Sequence, residues 1–154
     1  MKSIRQFLCL LMFAVWFGGF TFYIAVVVPT GTQVLGSARI QGFVTQQVTW
    51  HLNWITAIAV VLMLWEVFAE FPKKYRRSRM LAVSLVIAIL VLMLALVWIH
   101  GILNGFLDFE NRSVRQKATF YQWHRLYLWI STIQWALGIL FAWLLVKNWT
   151  RQNS

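Results

Sequence analysis

Four long stretches free of charged side chains, separated by short basic connections, limit what this chain can become more than any other feature. Residues 7–28 form a run of 22 uncharged residues, and about 20 apolar residues let a helix cross the hydrocarbon of a bilayer. The second stretch, 51–70, is uncharged from residue 52 to 65, and residues 80–107 hold one titratable group, His100. The fourth, 124–146, is uncharged between Arg125 and Lys147. The chain therefore reads as an all-α, integral membrane four-helix bundle with spans at about 7–28, 51–70, 80–103 and 124–146. Its partner is the lipid bilayer.

Composition supports this. Of the 154 residues 60% are hydrophobic and 12% charged, against roughly 25% charged in a soluble domain. A single domain is expected at this length. The formal net charge of +10 would suggest nucleic acid in a soluble protein. Here the bases sit in connections between apolar runs, so no nucleic-acid partner is expected. Cys9, the lone cysteine, rules out an intrachain disulfide and reads as a small buried hydrophobe. The basic start and apolar run resemble a signal peptide, but the run is too long, and an uncleaved first span is expected.

The connections set an orientation. Lys2, Arg5, Lys73, Lys74, Arg76, Arg77, Arg79, Lys147 and Arg151 fall on one side, and Arg39, Arg112, Arg115, Lys117 and Arg125 on the other. Nine bases against five place both termini in the cytoplasm of a plasma membrane. Trp50, Trp54, Trp98, Trp123 and Tyr127 then lie near the outer interface, and Phe71, Tyr75 and Trp149 near the inner one.

Between the first two spans the chain is polar and rich in glycine. Ile40, Phe43, Val44 and Val48 recur at helical spacing, which predicts a short amphipathic helix on the outer surface. Pro29 is expected to end the first span. Glu66 and Glu70 precede a run of five bases, and interfacial ion pairs are expected there. Residues 108–123 read as a solvated loop or surface helix.

In the first span Ala14, Gly18, Thr21 and Ala25 line up on a helix, a stripe expected to be the packing seam. It also allows a homo-oligomer. His51, His100 and His124 share one level, the outer end. Histidines so placed can hold haem or a metal ion, His124 pairing with His51 or His100. Face analysis favours His124 alone. It shares a stripe with Ser131, Gly138 and Gln134, whereas His51 lies about 160° from the side of Asn53, Thr56, Ala57 and Val60, and His100 about 140° from that of Ala88 and Ala95. The first expectation is therefore a small-ligand cavity bordered by Asn53, His124 and Gln134, with no cofactor, and the haem or metal site is the alternative. No enzymatic motif is found: nucleotide-binding glycine patterns are absent, and His124 and Ser131 lie about 10 Å apart along one helix.

The combination WFGGFTFYIAVVVPTG, then a polar helix ending QGFVTQQVTWHLNWI, then two further spans, resembles the bacterial relatives of the transmembrane protein 205-like domain family. The residues that carry it are Trp16, Gly18, Gly19, Pro29, His51 and Asn53, within 14–66. Trp-x-Gly-Gly helices also occur in CopD-like copper-resistance and HemJ-like haem-pathway proteins. The resemblance implies a four-helix membrane fold and supplies no reaction.

Overall fold

The computed structural model describes residues 2–70 and 76–153. Four helical rods form, each long and apolar enough to cross a membrane. The first is assembled from α1 (Lys2–Phe22), a π-helical turn (Tyr23–Val27) and α2 (Val28–Val34). Then come α3 (Ala38–Glu70), α4 (Arg76–Gly105), a two-stranded hairpin of β1 (Leu107–Asp108) and β2 (Ser113–Val114), and α5 (Lys117–Asn153).

Pro29 does not end the first rod. It lacks the N–H that an α-helix would use, and its ring crowds the preceding turn. The widened π turn just before it absorbs both, with Val28 N–H donating to the Tyr23 carbonyl five residues back. The helix continues to Val34 and stops where Gly36 adopts φ +63°, a left-handed cap that glycine takes without a Cβ clash. The Ser37 hydroxyl then accepts from the Ile40 N–H at 3.4 Å and starts α3. The predicted amphipathic helix is thus not a separate element. Its residues are the first three turns of α3, because the chain has no proline between Ala38 and His51 and a lone Gly42 costs a helix only about 1 kcal/mol.

Three of the rods share a seam pattern. Buried or half-buried residues recur at alternating three and four in α3 (Gln46, Thr49, Asn53, Thr56, Val60, Met63, Val67), α4 (Ala82, Val86, Ile89, Met93, Leu96, His100, Leu103) and α5 (Tyr127, Ser131, Gln134, Gly138, Phe141, Leu145, Asn148). This 3.5-residue period is that of left-handed helix bundles. One apolar core gathers Ala59, Val60, Met63, Val67, Ala82, Val86, Ile89, Phe141 and Leu145 around Cys9 and Trp16.

The first rod presents a different face from the expected one. Cys9, Trp16 and Tyr23, seven apart, are its buried residues, while Ala14, Gly18 and Ala25 are exposed. A Cβ on Gly18 would meet nothing within 4 Å. The small stripe is therefore not the bundle's seam. Aromatic side chains fill the space between α1 and α5: Phe17 stacks on Trp135 at 5.0 Å between centroids, and a Cβ on Gly138 would stand 3.0 Å from the Trp16 ring. Bulk on α1 meets a gap on α5, the reverse of a small-on-small contact. Thr21 alone of the stripe makes a tertiary bond, accepting from the Trp135 indole at 3.0 Å.

The hairpin replaces the first part of the loop or surface helix expected at 108–123, and from Lys117 on these residues are the first turns of α5. Leu107 pairs with Val114 and Asp108 with Ser113. The Asp108 carboxylate accepts from the Asn111 backbone N–H at 3.0 Å and from Arg115 at 3.3 Å. These bonds, led by the Asn111 backbone N–H, hold its carboxyl below the ordinary aspartate value. Phe109 meets Phe43 edge-on at 5.4 Å and docks the hairpin on α3.

Candidate functional site

Polar side chains gather in two places along the α3 seam, one at the hairpin end of the bundle and one at the end where the chain termini lie. The hairpin end holds neutral groups. Gln46 on α3 is buried and sends its carboxamide nitrogen towards Nε2 of His100 (3.2 Å), the His100 carbonyl (3.2 Å) and Oδ1 of Asn104 (2.9 Å). With Gln46 donating to Nε2, the ring proton of His100 belongs on Nδ1, which faces Oγ1 of Thr49 at 3.4 Å. Thr49 donates in turn to the Thr45 carbonyl at 2.9 Å. One helical turn further along, Tyr23 donates its phenol proton to Thr45 Oγ1 at 3.1 Å. The Tyr127 phenol faces Thr49 and Asn53. Trp50 lies against the His100 ring at 6.0 Å.

Two buried nitrogens in this region are left without a partner: Nδ2 of Asn53 and Nε2 of Gln41. Their residues are 8% and 3% exposed. A buried donor without an acceptor costs about 1–3 kcal/mol. Gln41 is held where it is by Gly31, at which any Cβ would run into the Gln41 carboxamide. The glycine thus lets α2 close onto α3 and seals that amide in.

The termini end holds charge. Glu66 is fully buried. Its Oε2 accepts from Nε of Arg5 at 2.8 Å and its Oε1 from the Trp149 indole at 2.9 Å. Both carboxylate oxygens are engaged, one by the first rod and one by α5. Glu66 was expected to pair with the bases that follow it in sequence. The structure pairs it across the bundle instead, because its side chain points into the seam. The other part of that expectation, Glu70 with the basic turn, and the interfacial Phe71 and Tyr75, lie outside the described residues and side chains.

The structure separates the sequence-derived site residues. Asn53 and Gln134 are buried, but Gln134 is committed to the Ile89 carbonyl at 3.1 Å. His124 is half-buried and stacks on Phe120 at 5.9 Å. His51 is exposed, its Nδ1 donating to the Gln47 carbonyl at 3.0 Å. His100, placed off the seam by face analysis, is buried in it, at 4% exposure. The error came from reading the Ala88–Ala95 side as the packing face, when bulky Val86, Ile89, Met93 and Leu96 pack instead. The three histidines therefore do not converge. Among the described residues no three His, Cys, Asp or Glu side chains form a metal-sized group.

Sequence reasoning passed over Gln41, Gln46, Thr49, Tyr23 and Tyr127. The signal was present for Gln46 and Thr49, which continue the three–four rhythm of Asn53, Thr56 and Val60 towards the N-terminus. The expected helix boundary at His51 concealed it. No protein-family model, no curated protein and no solved structure matches this chain.

Proposed function

We propose that this is an integral protein of the plasma membrane, termini cytoplasmic, that binds a small hydrogen-bond-accepting molecule in the outer half of its four-helix bundle. Membrane insertion is supported by four long apolar helices and by large hydrophobics on the outward faces, such as Val61, Trp98 and Trp129 at 63%, 63% and 68% exposure. The nine-to-five distribution of bases supports the orientation. The likeness of residues 14–66 to the transmembrane protein 205-like domain agrees with the membrane reading and names no ligand.

The observation that carries the binding proposal is the buried Nδ2 of Asn53, which makes no well-formed hydrogen bond and lies by the Tyr127 phenol beside the Gln46–His100–Thr49 network. Intramembrane polar groups are costly and mark functional positions by default. An amide nitrogen and a phenol side by side suit a carbonyl or ether oxygen rather than a cation. The test is native mass spectrometry of the gently solubilised protein beside its absorption spectrum. A co-purifying small molecule, lost in Asn53→Leu while helicity is kept, is expected. Wild-type protein that carries nothing removes the proposal. A Soret band lost in His100→Ala would move the function to haem chemistry.

A further inference from the structure

At the start of α4 a groove of about 460 Å³ is lined by Arg76, Arg79, Met80, Val83 and Ser84. Positions 76, 79, 80 and 83 follow the i, i+3, i+4, i+7 pattern and so form one continuous stripe on the helix. The stripe changes character along its length. Two guanidinium groups stand at its end, and Met80 and Val83 continue it as an apolar wall, Met80 being 58% exposed. Arg79 is held in place by the Phe68 ring, 5.8 Å from its guanidinium carbon.

Among the described side chains the two arginines have no counter-charge. The chain has 14 basic and four acidic residues. Glu66 is committed to Arg5, and Asp108 lies in the hairpin with Arg115. Among the described side chains no carboxylate pairs with Arg76 or Arg79. An anion from outside can compensate them, and the adjoining wall favours one that carries hydrocarbon. A groove at the other end, lined by Leu35, Ile40, Phe43, Val44, Gln47, Phe109 and Arg112, has a single cation among these residues and lacks this gradient.

We propose that the Arg76–Arg79 groove binds an anionic phospholipid of the cytoplasmic leaflet. The phosphate lies between the two guanidinium groups, and the start of an acyl chain lies along Met80 and Val83. Arginine forks match phosphate geometry, and bases at the membrane surface attract acidic lipid by about fivefold each. This site rests on the membrane reading above and is independent of any ligand at the other end.

The experiment uses the full chain. Flotation with phosphatidylcholine vesicles first tests insertion by itself; protein that stays in the soluble fraction overturns the membrane reading. Native mass spectrometry then compares retained phosphatidylglycerol with phosphatidylcholine from an equal mixture. A clear preference for phosphatidylglycerol is expected, falling roughly 25-fold in R76Q/R79Q. K117Q/R125Q, which removes the same charge from the opposite end, should leave it within about twofold. Val83→Trp keeps both charges and fills the wall, and it too should lose the preference; this variant serves if the double arginine change disturbs folding. Inserted protein without a preference overturns the proposal. So does an equal loss in K117Q/R125Q, a Val83→Trp variant that binds as wild type does, or displacement of the lipid by inorganic phosphate at matched concentration.

Discussion

The two polar clusters of α3 lie on one helix, Gln46 and Glu66 about 30 Å apart along its axis, yet they are built on opposite terms. At the termini end the carboxylate of Glu66 has no exposure and both oxygens are bonded. At the hairpin end the groups are neutral, and two amide nitrogens are left over. The physical reason is the size of the penalty. A buried charge without a partner costs several kcal/mol, so a stable fold keeps only paired ones. A neutral amide left unpaired costs about 1–3 kcal/mol, which a bundle can carry. The closed cluster therefore reads as a clasp joining three helices, and the open one as a place with unused binding capacity.

The largest expected effect tests the clasp. Glu66→Ala leaves Arg5 in the seam without its carboxylate and should cost about 3–5 kcal/mol, read from denaturant unfolding in detergent. A loss under 1 kcal/mol would show that the pair contributes no more than a surface ion pair does.

The open end is expected to behave differently within itself. Gln46→Leu strips His100 and Asn104 of their donor and should cost about 1–3 kcal/mol. Asn53→Leu removes an amide whose nitrogen has no partner, and its stability should stay within about 1 kcal/mol of wild type, or rise, while ligand binding is lost. Equal destabilisation by both would mean that Asn53 is as fully bonded as Gln46, and the contrast between the two ends would shrink.

Gly138→Leu and Gly18→Leu extend the comparison to the α1 seam. The first drives a side chain into Trp16 and should cost about 1–3 kcal/mol. The second adds one on the outward face and should stay within about 0.5 kcal/mol in the monomer. Melting both variants side by side tests which glycine lies at the contact.

The smallest effect concerns the hairpin. Because Asp108 has a carboxyl held below its ordinary value of 3.8, its contribution is present above that value and is lost as pH falls through the lower, folded one. Hydrogen exchange should then loosen at Asn111 and Arg115 in strong acid while the helix seams stay protected. Protection at Asn111 that does not change with acid would remove the carboxylate from the turn.

The four helices were legible because runs of uncharged residues are long and their ends carry bases, but α3 and α5 extend well past the expected spans. Two boundaries were not. Pro29 looked like a stop because its missing N–H is visible in sequence, whereas the π turn that accommodates it is a property of the folded rod. His51 looked like a start because polar Gln46 and Thr49 were read as belonging to water, when the bundle uses them in its interior. Of the site residues, Asn53 and Gln134 are buried and His124 is half-buried. That Gln134 is committed to a carbonyl and His124 to a phenylalanine ring depends on neighbours 45 and four residues away.

The sequence by itself determined that this chain makes four apolar helices, that their connections are basic, and that its few polar groups would be conspicuous among them. Only the tertiary structure decided which face of each helix is the seam. In an amphipathic helix, hydropathy singles out the inward face. Helices that are apolar nearly all round give little such direction, and their rotation is settled by the fit of bulk against gap. Trp16 fits Gly138, and that contact turns Gly18 outward. Likewise His100 is turned into the core beside Gln46, and Glu66 meets Arg5.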